Sequence, residues 1–274
     1  MTRSYDMRIV SLGDLVLDVV VRMDAPVATA ADTPSRTALT VGGQGANVAA
    51  WCAWLGADAR WLGKRGDDPA GRLVSERLAA LGVDQTGPVG PDGTGVIVSL
   101  VDLTGERSMF PDRGVAVTLR PDEVRPEWLE CDHLHVSGYA LLAHPVAEAA
   151  SRAVELARGA GARISVDLSS WSTIRDAGAQ SFRALVESLE PDVVFANEDA
   201  DRVVGGKLPG VAWILKHGAR GCSFDGDERA ALPVADVVDT TGAGDALAAG
   251  WIAGGPDLAL EAAARCVQCV GSMP

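Results

Sequence analysis

The sequence predicts an α/β fold: a doubly wound, mostly parallel sheet sandwiched by helices, with a small β-lid. Three observations carry this reading. Short, dominantly apolar runs recur at 8–12, 59–62, 133–136, 164–166, 193–195 and 212–215, as in strands buried on both faces. Several are separated by segments whose apolar residues fall three and four positions apart, the signature of crossover helices. The stretch 15–41 departs from both patterns, and its alternating Val-rich runs read as a β-excursion from the main body.

The elements follow in order. Residues 8–12 end in Gly13-Asp14 and read as a first buried strand. In the helix expected over 44–55, Val48, Trp51, Cys52 and Leu55 share one face. Asp68 followed by Pro69 is an N-cap with proline in the first turn, and Gly82 closes that helix. Runs at 96–101 and 106–110 form a hairpin turning at Thr104-Gly105, which joins the lid. A helix over 146–158 presents Glu148, Arg152 and Glu155 to solvent, and Cys222–Phe224 begins an antiparallel edge. Segments 244–253 and 258–270 are apolar nearly all round and are expected as deeply packed helices. The proline-bearing stretch 119–126 reads as an exposed loop, and no linker or repeat divides the single domain expected over 1–274.

Composition narrows the function. The 274 residues are 47% hydrophobic and 22% charged, enough for a large core, and disorder by composition is excluded. A net charge of -13 removes any general attraction to nucleic acid or anionic membrane, so a bound polyanion must be held by local structure. Five cysteines, an odd number scattered through apolar runs, argue for a reducing compartment. The N-terminus has no apolar region long enough for a signal peptide, and no stretch approaches about 18 apolar residues. The location expected is cytoplasmic.

Two glycine-rich segments carry the chemistry. In 238–251, VDTTGAGDALAAGW, Gly242, Ala243 and Gly244 keep side chains away from the start of an apolar helix. Backbone amides at such a terminus form an anion site, and Asp245 lies in the first turn beside it. Phosphoryl transfer asks for that pair: donors for the charge on the equatorial oxygens and a carboxylate for the proton of the attacking hydroxyl. In 41–54, VGGQGANVAAWCAW, Gly42, Gly43 and Gly45 lead into another helix, and Asn47 offers a donor and an acceptor near its start. Neither cluster completes GxGxxG, and no Gly-Lys pair completes a Walker-type loop.

Over essentially its whole length the sequence resembles the ribokinase-like (PfkB) carbohydrate kinases. The motif GGQGAN at 42–47 matches the N-terminal signature, and DTTGAGD at 239–245 the C-terminal one. The resemblance implies ATP-dependent phosphorylation of a sugar-like hydroxyl, with Mg²⁺ and, in some members, K⁺. It makes Asp245 the base and Gly242, Ala243 and Gly244 the anion hole. Asp18, Gly42, Gly43, Gln44 and Asn47 become substrate contacts. Gln44 stands where sugar-phosphate and ribose kinases often carry lysine, which implies a different charge requirement on the substrate. Asn197, Lys216, Gly218, Gly221 and Thr241 are assigned to the nucleotide, and Asp239 and Thr241 to a monovalent cation. The lid is expected to close over the sugar and to offer a homodimer surface.

Several features depart from the pattern or stand outside it. The family's Asn-x-x-Glu is Asn197-Glu198-Asp199-Ala200 here, leaving Glu198, Asp199 or Asp201 as substitutes, and its Asp-x-Asn is Asp167-Leu168-Ser169. The resemblance also implies a tail beyond Gly271–Pro274, whose shortening would loosen the nucleotide pocket. Cys266 and Cys269, and His133 and His135, read as packing residues rather than metal ligands. Arg107 and Arg113 read as solvated arginines, with contact to a charged substrate as the alternative. Two other functions stay open: a nucleoside kinase, against which the lid segment 15–41 offers no aromatic residue, and a non-catalytic binding protein that kept the fold.

Overall fold

The computed structural model describes residues 7–274; Met1–Asp6, part of the N-terminus read above as too polar for a leader, lie outside the described residues. The first part of the chain runs β1 (Arg8–Leu12), β2 (Val16–Met23), β3 (Ser35–Gly42), α1 (Gln44–Trp54), β4 (Asp58–Leu62), β5 (Arg65–Gly66), α2 (Pro69–Ala80), β6 (Asp84–Thr86), β7 (Val89–Gly90), β8 (Thr94–Val101) and β9 (Arg107–Gly114). It continues through β10 (His133–Ser137), α3 (Val146–Gly159), β11 (Arg163–Asp167), α4 (Trp171–Ala177), α5 (Ala179–Ser188), β12 (Val193–Asn197), α6 (Glu198–Val204) and β13 (Ala212–Lys216). The edge strands β14 (Cys222–Phe224) and β15 (Asp227–Arg229) and the helices α7 (Ala243–Gly254) and α8 (Pro256–Cys266) complete it.

Among the described residues, nine strands form the main sheet in the order β15-β14-β13-β12-β11-β10-β1-β4-β6. All neighbours from β13 to β6 are parallel, and β14 and β15 add an antiparallel edge. Alternation along each strand sends side chains to two cores. Val194 and Ala196 of β12 join the core under α3, α5 and α6. Val193 and Phe195 pack with α1, α7 and α8 on the other face. Helices on both faces bury these strands, which is why they read as dominantly apolar runs.

The sheet order places the site. From β1, the chain builds toward β4 and β6 on one side and toward β10–β13 on the other. Loops leaving the carboxyl ends of β1 and β10 therefore diverge and open a crevice. Asp14, Ser137, Asp167, Asn197 and Lys216 stand at or just past the carboxyl ends of their strands. The excursion and the hairpin pair into a second sheet, β3-β2-β8-β9, in which β2 and β8 run parallel.

Close backbone approach fixes the start of α1. A Cβ on Gly45 would sit 2.6 Å from the Cα and N of Gly13, so glycine alone lets the helix meet the end of β1. Replacing Gly45 with Ala is expected to cost about 1–3 kcal/mol of stability, measured by urea unfolding.

Three expectations need correction. Residues 115–129 form three short 3-10 turns that bury Leu119, Val124 and Leu129 against the core, so this stretch is not an exposed loop. The last helix stops at Cys266, and Val270 is exposed. That helix buries Ala259, Leu260, Ala262 and Cys266 along one side while Glu261 and Arg265 face solvent, so it is not apolar all round. Asp68 caps α2 as expected, its carboxylate accepting from the Gly71 amide at 2.7 Å.

His133 and His135 are buried and share one partner, the Ser165 hydroxyl, at 2.8 and 2.9 Å. Burial pushes the two imidazoles down to about 3 and about 4, so both stay neutral in the core. Cys266 is buried and Cys269 half-buried, and no cluster of three or more metal-ligating side chains occurs among the described residues.

Candidate active site

Asp245 enters the crevice from the first turn of α7. Gly242 precedes the helix at φ 79°, a left-handed conformation that glycine adopts at little cost. A Cβ there would lie 2.6 Å from the Ser272 backbone, so the C-terminal segment seals the turn from behind. The Ala243 amide bonds the Thr240 carbonyl, and that of Ala246 bonds Gly242. The intervening amides of Gly244 and Asp245 belong to the unpaired first turn, where an anion is favoured.

The Asp245 carboxylate accepts from Asn47 Nδ2 at 2.7 Å. Burial is the main influence on its acidity, and the nearby charge of Asp167 acts in the same direction. Asn47, Lys216 and Gln44 oppose them, and the carboxyl is left pushed up to about 6. It is therefore ionised at neutral pH yet basic enough to take a proton.

Around this group the expected residues fall into three sets. Gln44 accepts from the hydroxyls of Ser137 (2.5 Å) and Ser169 (2.6 Å), which anchor its carbonyl oxygen. Asn47 is held between Asp245 and the Ser272 hydroxyl, the latter bonding its Oδ1 at 2.9 Å. Its side chain thus positions the acidic group, which the motif alone did not reveal. Asp18 lies against Gly42, where any Cβ would meet its Oδ2, and its buried Oδ1 has no partner among the described residues. Burial pushes this carboxyl up to about 6 as well.

The nucleotide set lines one cleft of about 460 Å³. Asn197, Lys216, Gly218, Gly221, Ala243 and Gly244 border it, and Leu232, Val234, Val237, Leu247 and Leu260 supply apolar wall. Thr240 contributes to this lining, whereas Thr241 is engaged by Arg107. Lys216 Nζ donates to Asp167 Oδ2 at 2.6 Å and lies 3.2 Å from where a Gly244 Cβ would be. Asp167 is almost wholly buried, and its Oδ1 accepts from the Ser169 amide at 3.0 Å. Ser169 is held at φ 70°, a strained conformation for a residue other than glycine, and such strain concentrates at functional sites.

The substitutes expected for the missing glutamate do not reach the cleft. Glu198 pairs with His217 and Arg220, Asp199 with Arg202, and Asp201 accepts from Trp213 Nε1 at 2.8 Å. Ala200 is fully buried, and Asn197 caps α6 by accepting from its amide at 2.8 Å.

Both arginines of the hairpin are ion-paired, Arg113 half-buried and Arg107 on the exposed part of its strand. Arg113 makes a two-pronged pair with Asp14 at 2.6 and 2.8 Å, and its guanidinium lies 5.9 Å from the Tyr139 ring centre. Arg107 bonds Asp239 Oδ1 at 2.7 Å and contacts the Thr241 hydroxyl. Asp239, read as a cation ligand, has its remaining bonds from the Thr241 and Gly271 amides. These residues do not fit an open monovalent-cation site, because a guanidinium already lies against them. Sequence reasoning missed Asp14, Asp167 and Ser272 as site residues. The signal for the first two was a carboxylate placed where an apolar strand ends.

An anion-binding turn and a moderately basic carboxylate at the carboxyl ends of a parallel sheet are the equipment of a phosphotransferase acting on a hydroxyl. The chain belongs to the pfkB family of carbohydrate kinases, whose family model matches residues 6–273, and it is an ATP-dependent carbohydrate kinase. It is 32% identical to an ATP-dependent ribose-1-phosphate kinase of Halopiger xanaduensis, covering 94% of this chain and 90% of that protein. It is 31% identical to a fructokinase of Escherichia coli, covering 89% of this chain and 82% of the other. Its fold matches a structure described as a ribokinase II of E. coli in complex with ATP and Mg²⁺, at a TM-score of 0.81 and 23% identity. That match covers 97% of this chain and 94% of the other. No helix among the described residues is long and apolar enough to cross a membrane.

Proposed function

We propose that this kinase phosphorylates a hydroxyl of an unphosphorylated sugar or sugar-like polyol, with Asp245 as general base. The observation that carries the substrate class is the pairing of three cations at the crevice among the described residues. Arg113 is paired with Asp14, Lys216 with Asp167 and Arg107 with Asp239. A phosphate on the substrate would find these three cations already paired and would approach Asp18 and Asp14. A neutral polyol suits the site better, because the orphaned Asp18 Oδ1 needs a donor and a sugar hydroxyl is one.

In this reading the second sheet is a lid over the sugar. Asp18 accepts from a substrate hydroxyl, and Gly42 and Gly43 leave room for its carboxylate and for the Asp14 carbonyl. Asn47 and Gln44 hold Asp245, which takes the proton as the attacking oxygen bonds to the γ-phosphorus. The Gly244 and Asp245 amides receive the transferring phosphoryl group, and Lys216 adds positive charge beside them. Gly218 and Gly221 border the nucleotide in the apolar cleft. No cluster of three or more metal-ligating side chains occurs among the described residues, and Asp167 is buried against Lys216, so a Mg²⁺ would arrive with ATP and be held by its phosphates. Bound there, Mg²⁺ supplies charge neutralisation for the phosphates. Exposed Leu39, Met109 and Phe110 on the lid support self-association through it.

The test is ADP release across pentoses, hexoses, polyols, nucleosides and their phosphorylated counterparts. The best unphosphorylated sugar is expected to exceed its own phosphate ester by at least about tenfold in kcat/KM. Preference for a sugar phosphate would overturn the substrate class, and preference for a nucleoside would move the reading to the family's nucleoside branch.

A further inference from the structure

We propose that the Arg107 guanidinium takes the place of a monovalent cation beside the 239–244 turn and, being carried on the lid, couples lid closure to the order of that turn. The inference rests on the kinase reading, and it explains why the residues assigned to a cation by resemblance do not form an open site. Arg107 begins β9, 132 positions before Asp239 in sequence, so its bond joins the lid directly to the phosphate-binding turn. The buried Asp239 carboxylate divides its bonds between three elements. Its Oδ1 takes the Arg107 guanidinium at 2.7 Å and the Thr241 amide at 2.8 Å, and its Oδ2 takes the Gly271 amide at 3.2 Å.

From there the contacts run to the reacting group without a break. Ser272 follows Gly271, packs behind Gly242, and bonds Asn47, which bonds Asp245. A guanidinium carries the same unit charge as a bound alkali ion, and its planar donors fix a carboxylate and a hydroxyl together. Unlike a free ion, it is present only while β9 lies against the turn. Opening the lid leaves the buried Asp239 charge uncompensated beside the site of the incoming phosphates, which disfavours ATP in the open enzyme. Closing it restores neutrality and orders the turn, so that phosphoryl transfer is confined to the closed, water-excluding state.

The test compares wild type, Arg107→Ala and Arg107→Lys in buffers of equal ionic strength containing K⁺, Na⁺ or tetramethylammonium as the sole monovalent cation. Turnover on the best substrate and the thermal midpoint without substrate are both measured. Wild type is expected to change by less than about twofold between salts. Arg107→Ala is expected to lose at least about tenfold in tetramethylammonium and to recover a large part of it in K⁺ or with low guanidinium. Its thermal midpoint should rise with K⁺ while that of wild type does not, and Arg107→Lys should fall between the two. Activation of wild type by K⁺ would overturn the proposal. So would an Arg107→Ala enzyme that is unimpaired, or one whose midpoint and rate ignore the cation. The thermal comparison needs no turnover, so it judges Arg107 even if the substrate panel overturns the sugar-kinase reading.

Discussion

Replacing Asp245 with Asn is expected to lower kcat by about 10³-fold while leaving ATP affinity within about threefold, because a positioned general base contributes about 10²–10⁴. The substitution suits the site. Asn47 donates to one carboxylate oxygen at 2.7 Å, and an amide carbonyl can accept the same bond, so the turn and its anion-binding amides persist. What disappears is the capacity to take a proton. Stopped-flow turnover and ADP titration of the same variant separate the two effects. A loss confined to KM would mean that Asp245 only binds substrate.

The same carboxyl sets the acid limb of the rate. With Asp245 at about 6, the ionised, competent fraction is about one tenth at pH 5 and about nine tenths at pH 7, so activity rises with pH. Asp18 titrates in the same range and must be ionised to accept from a substrate donor with both oxygens. The slope of log kcat/KM against pH should therefore approach about two below pH 6 in wild type. In Asp18→Asn it should fall to about one, because a single required ionisation remains. An unchanged slope would remove Asp18 from the substrate contacts.

The parts of this architecture that were legible in the sequence are those in which a physical demand restricts residue type. Buried parallel strands favour apolar side chains, so β11, β12 and β13 stood out as short, dominantly apolar runs close to their observed bounds. The two glycine turns stood out because Gly45 touches Gly13 and Gly242 touches Ser272, with no room for a Cβ. Residues 171–188 carry a weaker pattern. Gly178 at φ 98° divides them into two short helices, and only Ile174, Phe182 and Val186 are buried. Residues 115–129 bury Leu119, Val124 and Leu129 from separate turns, which leave no period to detect. The ion pairs were illegible for another reason. Arg113 and Asp14 are 99 positions apart, and Lys216 and Asp167 are 49, so nothing local to either charge names its partner. Asn47 shows the same limit: its motif announced a polar contact, but only the packed C-terminal segment shows that Ser272 and Asp245 are its partners.

Truncating Lys216 tests whether one of those pairs serves stability, chemistry or both. Asp167 is almost fully buried, and removing the lysine leaves its charge without a counter-ion. A loss of about 3 kcal/mol in unfolding free energy is expected for Lys216→Ala, since breaking a buried pair typically costs about 3–5. The double variant Lys216→Ala/Asp167→Asn removes the stranded charge and should recover most of that stability. Catalysis should not recover with it. Lys216 Nζ stands beside Gly244 at the anion-binding turn, so its absence withdraws positive charge from the transferring phosphoryl group, worth about 10²-fold in kcat in both variants. The pH profile separates these roles further. Lys216 opposes and Asp167 favours the upward displacement of the Asp245 carboxyl. The single variant should therefore shift the acid limb to higher pH, and the double variant should shift it back. Stability and pH profile that recover together while kcat stays low would place Lys216 on the phosphate. A kcat that recovers with stability would confine it to holding Asp167.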